Sequence, residues 1–366
     1  MTETLRPLEQ SVAAAKILND LLDSNRRYIH QPLSFAYVDS VYVMLTHCFE
    51  FFDYCPILLI TSPLEGCGKT RKLDWFERYC NKPESTGNTT QSSLFRIADA
   101  HRPTFLIDEF DTQNPESQAA IMNILNNGFQ RGKKVSRTDR GGNGAFEPRS
   151  FEVYGPKILA CISADNFSAA TTSRAINHRM QRKPADVMMP KLGKLNGADL
   201  KRECQLWVQD NKERMEKHVE AGVYIPEKLS DRQGDAWEPL IILSTFAGPV
   251  WENRICNAAL ELHNSCKADT ISSHEQILLH CRDLLIEREL ERISSEDLAL
   301  YLNNQNDWQE GYNQNLTKHK LANLLRDFGI IPEVIHFAEK GKKYRGYYAQ
   351  SFEAAFSAYL PPLPPE

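Results

Sequence analysis

The pattern of apolar runs predicts an α/β fold, a parallel sheet covered by helices on both faces. Three observations carry that reading. Apolar runs too short for helices recur at Pro56–Thr61, Arg102–Glu109 and Lys157–Ser163. Segments of helical period alternate with them, and past Pro190 the strand signals fade while the helical ones continue. Central strands of a parallel sheet read as unbroken apolar runs because both of their faces are buried.

Two helices open the chain, Leu8–Tyr28 and Phe35–Phe52, with a break at Gln31-Pro32. The first strand, Pro56–Thr61, runs into a glycine-bearing loop and then a helix over Lys69–Cys80. Strand Arg102–Glu109 ends in carboxylates, and Asn114 is placed to cap a helix from Pro115 to Arg131. Strand Lys157–Ser163 follows, then a short helix over Ser168–Arg174 and a strand over Ile176–Lys183. Helical patterns cover Ala198–Ala221, Asp235–Phe246, Val250–Ser265 and Ser273–Leu285. From Ile293 onward two short helices (Ser295–Leu302, Thr317–Phe328), strands around Val334 and Tyr347, and a helix Phe352–Tyr359 give the order of a winged helix. These segments group as N-terminal helices (1–52), a sheet-bearing core (53–190), a helical lid (191–290) and a winged-helix-like domain (291–366).

Hydrophobic residues at 42% and charged residues at 25% fit a folded globular chain and exclude a largely disordered one. A net charge of -5 means that any polyanion surface must come from local clusters of Lys and Arg. No apolar run is long enough to span a membrane. Met1–Gln10 carries charges and a proline where a signal peptide needs an apolar stretch, so a cytoplasmic location is expected. The nine cysteines form no CxxC pair and are expected to be buried thiols.

The most informative stretch is Ser62-Pro-Leu-Glu-Gly-Cys-Gly-Lys-Thr70, which lies between the first strand and its helix. It fits the phosphate-loop pattern GxxxxGK[ST] in the context where that pattern works, except that Pro63 stands where the pattern asks for glycine. Gly66, Cys67 and Gly68 would turn backbone N–H groups toward phosphates, Lys69 would reach the β and γ oxygens, and the Thr70 hydroxyl would ligate Mg²⁺. Asp108 and Glu109, following four apolar residues, supply the acidic half: Asp108 for the metal shell, Glu109 to orient the attacking water. ATP and Mg²⁺ are the cofactors this arrangement calls for.

These residues resemble AAA+ ATPases, and more narrowly a domain family of unknown function from phages, plasmids and integrated elements, often found beside primase or helicase modules. The marks of the resemblance are Leu45-Thr-His47, Gly66-Cys-Gly-Lys-Thr70, Leu94-Phe-Arg96, Arg102-Pro-Thr104 with Asp108-Glu109, Ile124 to Gly128, Gly155-Pro156, Ser173-Arg174, Asp231-Arg232 and Trp237-Glu-Pro-Leu240. The resemblance implies a sheet of order 5-1-4-3-2, a helical lid, and a ring, expected to be a homo-hexamer, in which a neighbour's arginine completes each ATP site. It places Arg71 beside the nucleotide, Ser163 or its rival Asn166 as the γ-phosphate sensor, Arg174 as the arginine finger with Arg179 as substitute, and Arg232 as the second sensor.

Two basic clusters point to nucleic acid. Between Arg131 and Lys157, extended runs flank Gly141-Gly-Asn-Gly144 and read as a β-hairpin. Six basic residues there (Arg131, Lys133, Lys134, Arg137, Arg140, Arg149) face two acidic ones (Asp139, Glu147). In ring helicases such a hairpin enters the channel and touches the phosphates of a single strand without reading sequence. In the last domain, Lys318 and Lys320 open a helix, and Lys342, Lys343 and Arg345 lie in a basic aromatic turn suited to duplex phosphates. The expectation is a DNA-acting ATPase of a mobile element, a replicative helicase or initiator, with a primase or replication partner. The alternatives are a loader that remodels a protein complex and an ATP-gated DNA-binding switch.

Overall fold

A computed structural model describes residues 7–62, 65–86, 91–140, 146–162, 164, 167–269, 273–305, 316–326, 328–337 and 342–360. The chain divides into two compact units, Met1–Ser265 and Cys266–Glu366.

In the first unit, helices α1 (Pro7–Tyr28) and α2 (Leu33–Cys48) precede strand β1 (Ile57–Thr61). Then come α3 (Lys69–Tyr79), β2 (Pro83–Ser85), α4 (Gln91–His101), β3 (Thr104–Ile107) and α5 (Pro115–Asn127). The hairpin strands β4 (Lys134–Arg140) and β5 (Phe146–Glu152) separate α5 from β6 (Lys157–Cys161), α6 (Ala169–Thr172) and β7 (Ala175–Arg179). Helices α7 (Ala198–Asp210), α8 (Lys212–Ala221) and α9 (Asp231–Thr245) follow, and α10 (Pro249–Asp269) runs across the boundary between the units.

Five strands form one parallel sheet in the order β2-β3-β6-β1-β7. Strands β1, β3 and β6 are buried along their whole length, as their unbroken apolar sequences require. Alternate residues feed two cores. Leu58, Ile60, Leu106, Ile158 and Ala160 join α2, α3 and α9 on one face. Ile57, Leu59, Phe105, Ile107 and Leu159 join α4 and α5 on the other. Helix α2 has 13 buried residues among its 16, so it is a core helix; a surface helix would carry a polar face.

Capping follows the sequence closely. Asn114 accepts from Ser117 N at the start of α5 (2.8 Å), and Ser168 caps α6 through Thr171 N. Helix α5 is followed by Gly128, where a β-carbon would collide with Lys157 Nζ and the Val153 carbonyl, so only glycine fits at this C-cap. Lys157, fully buried, donates to the carbonyls of Gly128 (2.9 Å) and Gly155, and burial pushes its pKa down to about 8.

The predicted single helix Ala198–Ala221 is two helices broken at Asn211, whose amide donates to Trp207 O (2.9 Å). Helix α9 begins at Asp231, four residues earlier than the apolar period suggests, because Ser230 and Gln233 form a reciprocal capping box. None of the eight described cysteines forms a disulfide, and all but the half-buried Cys256 are buried. No described helix is long and apolar enough to cross a membrane.

The second unit contains α11 (Ser273–Glu287), β8 (Arg292–Ser294), α12 (Ser295–Asn303), α13 (Lys318–Arg326), β9 (Glu333–Phe337), β10 (Lys342–Tyr348) and α14 (Glu353–Tyr359). Its sheet is antiparallel in the order β8-β10-β9. Ile277, Leu278, Cys281 and Leu284 of α11 pack in this unit's own core.

Candidate functional site

The loop after β1 turns through two left-handed glycines, Gly66 (φ 75°) and Gly68 (φ 89°), a conformation strained for any residue with a β-carbon. Gly68 is the residue before the first turn of α3, and a β-carbon on it would meet nothing within 4 Å. Its backbone angle, not crowding, is what requires glycine. Pro63 and Leu64 lie outside the described residues. Lys69 folds back so that Nζ donates to Ser62 Oγ (2.6 Å), which holds the amine over the loop at the end of β1. Thr70 is exposed one residue later, while Cys67 is buried in the core beneath.

The acidic half stands two strands away. Strand β6 lies between β1 and β3, so the strand ends that lead to the loop and to Asp108 are about 10 Å apart by strand spacing. Asp108 Oδ1 accepts from the Glu109 N–H (2.9 Å), and Glu109 is left-handed (φ 50°), a rare state for a side-chain-bearing residue. Thr112 Oγ1 donates to Glu109 O (3.0 Å), and Asp111 Oδ2 accepts from Ile162 N (2.5 Å), which ties this turn to the end of β6. A cleft of about 420 Å³ runs between the halves, lined by Gly66, Lys69, Thr70, Asp108, Glu109 and Asp111 among others. A hydroxyl and a carboxylate among its lining residues, Thr70 and Asp108, are oxygen donors of the kind a Mg²⁺ would take.

Beneath the loop, α3 is anchored by a buried network. Lys72 Nζ contacts Asp39 Oδ1 (2.9 Å), His178 Nδ1 (2.6 Å) and Gln31 Oε1 (2.8 Å). Asn25 and Gln31 donate to Asp39 Oδ2, and Phe35 stacks on His178 with ring centroids 4.4 Å apart. This network joins α1, α2, α3 and β7 directly under the cleft.

A second, smaller cleft of about 180 Å³ opens on the other side of the loop. Tyr28, His30, Gly66, Arg71, Met180 and Met189 are among its walls. Arg71 Nε donates to Tyr28 O (2.7 Å), and its Nη2 donates to Pro190 O. Residue spacing carries no sign of the segment Met180–Pro190; the Arg182-Lys-Pro184 cluster directly after a strand is the available cue.

Ser163 and Asn166 lie outside the described residues. Arg174 sits at the opposite end of the sheet from its own loop, since its carbonyl accepts from Ile57 N, the first residue of β1 (3.1 Å). Its Nη1 donates to Ala170 O (3.0 Å) and Asn126 Oδ1 (3.3 Å). Partial burial, and then the nearby Arg232 cation, lower its pKa. Arg232 is therefore a neighbour of Arg174, on the first turn of α9, whose Asp235 influences Tyr54 just before β1. Helix α9 packs on α2.

On the hairpin, Lys133 and Lys134 are exposed. Arg137 lies over the Phe95 ring (4.7 Å) and Arg149 over Phe151 (4.9 Å), with Arg149 also 3.5 Å from Asp99. Arg131 pairs with Asp53 (2.7 Å), so part of the expected basic surface is committed to the chain itself. Arg140 ends β4; its side chain and residues 141–145 lie outside what the structure describes. In the second unit, Lys318, Lys320, Lys343 and Arg345 are exposed, and Lys342 starts β10 with its side chain likewise outside. Pairing of Lys343 with His336 and Arg345 with Val334 puts both cations on one exposed face.

A family model described as a protein of unknown function (DUF3631) matches residues 177–359. An uncharacterised 28.9 kDa protein in the xis 5′ region of Saccharopolyspora erythraea is 32% identical over 139 residues, which are 37% of this chain and 52% of that protein. The chain thus spans about half the length of the curated relative it matches. Among solved structures, the helicase of JCV aligns at 11% identity and a TM-score of 0.28, over 74% of this chain and 63% of that one. A RuvB mutant of Thermotoga maritima aligns at 11% identity and a TM-score of 0.28, over 91% and 96% of the two chains. Scores this low carry no argument about the present chain.

Proposed function

The chain belongs to the DUF3631 family of proteins of unknown function, and we propose that it is an ATP-hydrolysing AAA+ motor that works on DNA. The observation that carries this reading is the single cleft shared by Lys69 and Thr70 at a helix start and by Asp108 and Glu109 at a strand tip. Counted in chain order, the five sheet strands run 2-3-4-1-5, which from the other edge is 5-1-4-3-2, the order expected of AAA+ proteins.

In this reading the loop N–H groups and the positive end of α3 hold the phosphates, and Lys69 leaves Ser62 to bind the γ-phosphate. Thr70 and Asp108 would hold Mg²⁺, which when bound neutralises charge on the phosphate oxygens. Glu109 orients a water whose oxygen attacks the γ-phosphorus; the bond to the β–γ bridging oxygen breaks, and the proton passes through Glu109 to solvent. Arg174 lies at the end of β1 remote from its own cleft, so an arginine-finger role would be exercised at a neighbouring subunit's site, as a ring requires. The helix–strand–helix–helix–strand–strand order of the second unit, with exposed Lys318, Lys320, Lys343 and Arg345, supports a winged helix on duplex phosphates.

A second reading, a loader or remodeller whose hairpin touches protein, draws support from the commitment of Arg131, Arg137 and Arg149 to intramolecular contacts. The test is the ATP hydrolysis rate with and without single-stranded DNA, alongside a mass measurement with a non-hydrolysable nucleotide. The motor reading expects stimulation by DNA, lost when Lys133 and Lys134 are both changed to Glu, and a ring-sized mass. Hydrolysis indifferent to DNA would favour the remodeller.

A further inference from the structure

The segment after β7 crosses the phosphate loop as a strap fixed at both ends. At its start, Met180 N donates to Thr61 O (2.7 Å), and Met180 is buried in the core. At its end, Pro190 O accepts from Arg71 of α3, two residues past Lys69. Between these points Val187 N bonds Pro184 O (3.2 Å) and Lys183 Nζ bonds Val187 O (2.7 Å), a local turn with no helix or strand. Its two anchors lie on the strand before the loop and on the helix after it, so the strap keeps its place relative to the loop.

Arg182 is the residue this strap brings down onto the loop. A β-carbon placed on Gly66 would stand 3.5 Å from Arg182 Nη2 and 4.0 Å from its Nε. Arg182 is exposed, and among the described residues no hydrogen bond or ion pair engages its guanidinium. The loop mouth therefore gathers three positive features: the Lys69 ammonium, the N-terminus of α3 and the Arg182 fork. A polyphosphate is the ligand whose charge complements such a set of positive features. A guanidinium can meet two phosphate oxygens at once with parallel N–H bonds, which an ammonium cannot do.

We infer that Arg182 is a nucleotide-contacting residue, the cation supplied by the chain itself to the polyphosphate held on Gly66–Thr70. The inference rests on the nucleotide-binding reading above and deepens it. The strap gains a purpose as well, since Arg71 ties Pro190 to the loop's own helix and so links phosphate binding to strap position through adjacent residues of one helical turn.

The test is equilibrium binding of Mg·ATP, Mg·ADP and AMP to the full chain and to its Arg182→Ala, Arg182→Lys and Lys69→Ala variants, with thermal melts of each. Arg182→Ala is expected to weaken Mg·ATP by roughly tenfold to a hundredfold, the range for one charge-assisted contact. AMP binding and the melt should stay as in the unsubstituted chain, and Arg182→Lys should recover only part of the loss. If Arg182→Ala binds Mg·ATP as tightly as the unsubstituted chain while Lys69→Ala does not, Arg182 has no such role and the site stands. If neither the unsubstituted chain nor any variant retains Mg·ATP, the site itself falls and the inference with it.

Discussion

Lys72 Nζ stands 2.9 Å from Asp39 Oδ1, with both side chains wholly removed from water, and this pair fastens the helix that carries Lys69 and Thr70 to helix α2. Burial alone pushes the Asp39 carboxyl up, but the Lys72 cation and the hydrogen bond with His178 outweigh it and leave the pKa lowered. Removing one partner of a buried pair leaves the other charge uncompensated. Asp39→Ala should therefore cost about 3–5 kcal/mol, read from urea denaturation, and a loss below 1 kcal/mol would show that the pair is not holding α3.

Acid should weaken the fold before its carboxylates protonate. Burial is the first cause that pushes both His47 and His178 down to about 4. In the unfolded chain these imidazoles titrate near 6.5. From there down toward pH 4 the unfolded state binds protons that the folded state refuses, so stability falls with pH across that window. Above it the two histidines are neutral in both states and contribute no slope. Each can add at most about 1.4 kcal/mol per pH unit. Urea midpoints at pH 7.5, 6.5, 5.5 and 5 should be level above 6.5 and drop below it; a flat series would contradict the buried neutral assignment.

Arg174 and Arg232 should behave alike in binding and unlike in turnover. Arg174 lies at the sheet end remote from the cleft of its own chain, and the Arg232 charge is felt there, so Ala at either position should leave nucleotide affinity unchanged. Arg174→Ala should abolish hydrolysis if it serves a neighbour, on the order of a thousandfold for a lost arginine finger. Mixing it with Lys69→Ala, which has an intact Arg174 but no working loop, should restore part of the rate. A mixture as dead as its components would remove Arg174 from the catalytic set.

What the sequence made legible was local. The loop between β1 and α3 keeps its lysine, hydroxyl and glycines within a few consecutive residues, and Asp108-Glu109 directly follows a buried strand, so spacing alone singled out both stretches that line the cleft. Strand β2, three residues beginning with a proline at the sheet edge, has no apolar run to announce it. Helix α9 starts on polar residues and carries Pro239 inside it, so its beginning was set by the Ser230–Gln233 box and not by hydrophobic period. Lys72, Asp39 and His178 are charged or polar types that patterning assigns to the surface, and only the fold shows that they satisfy one another inside. Arg182 was hidden for a related reason: its partner Gly66 is remote in sequence, and the strap between them has no period to read.

The most direct test of the central claim is Mg·ATP binding and turnover by the purified chain beside its Lys69→Ala and Glu109→Gln variants. The cleft as described predicts that the chain binds and hydrolyses ATP, that Glu109→Gln binds it with turnover reduced at least about a hundredfold, and that Lys69→Ala fails to bind. Retention of Mg·ATP by Lys69→Ala equal to that of the unsubstituted chain, or full-rate hydrolysis by Glu109→Gln, would contradict it.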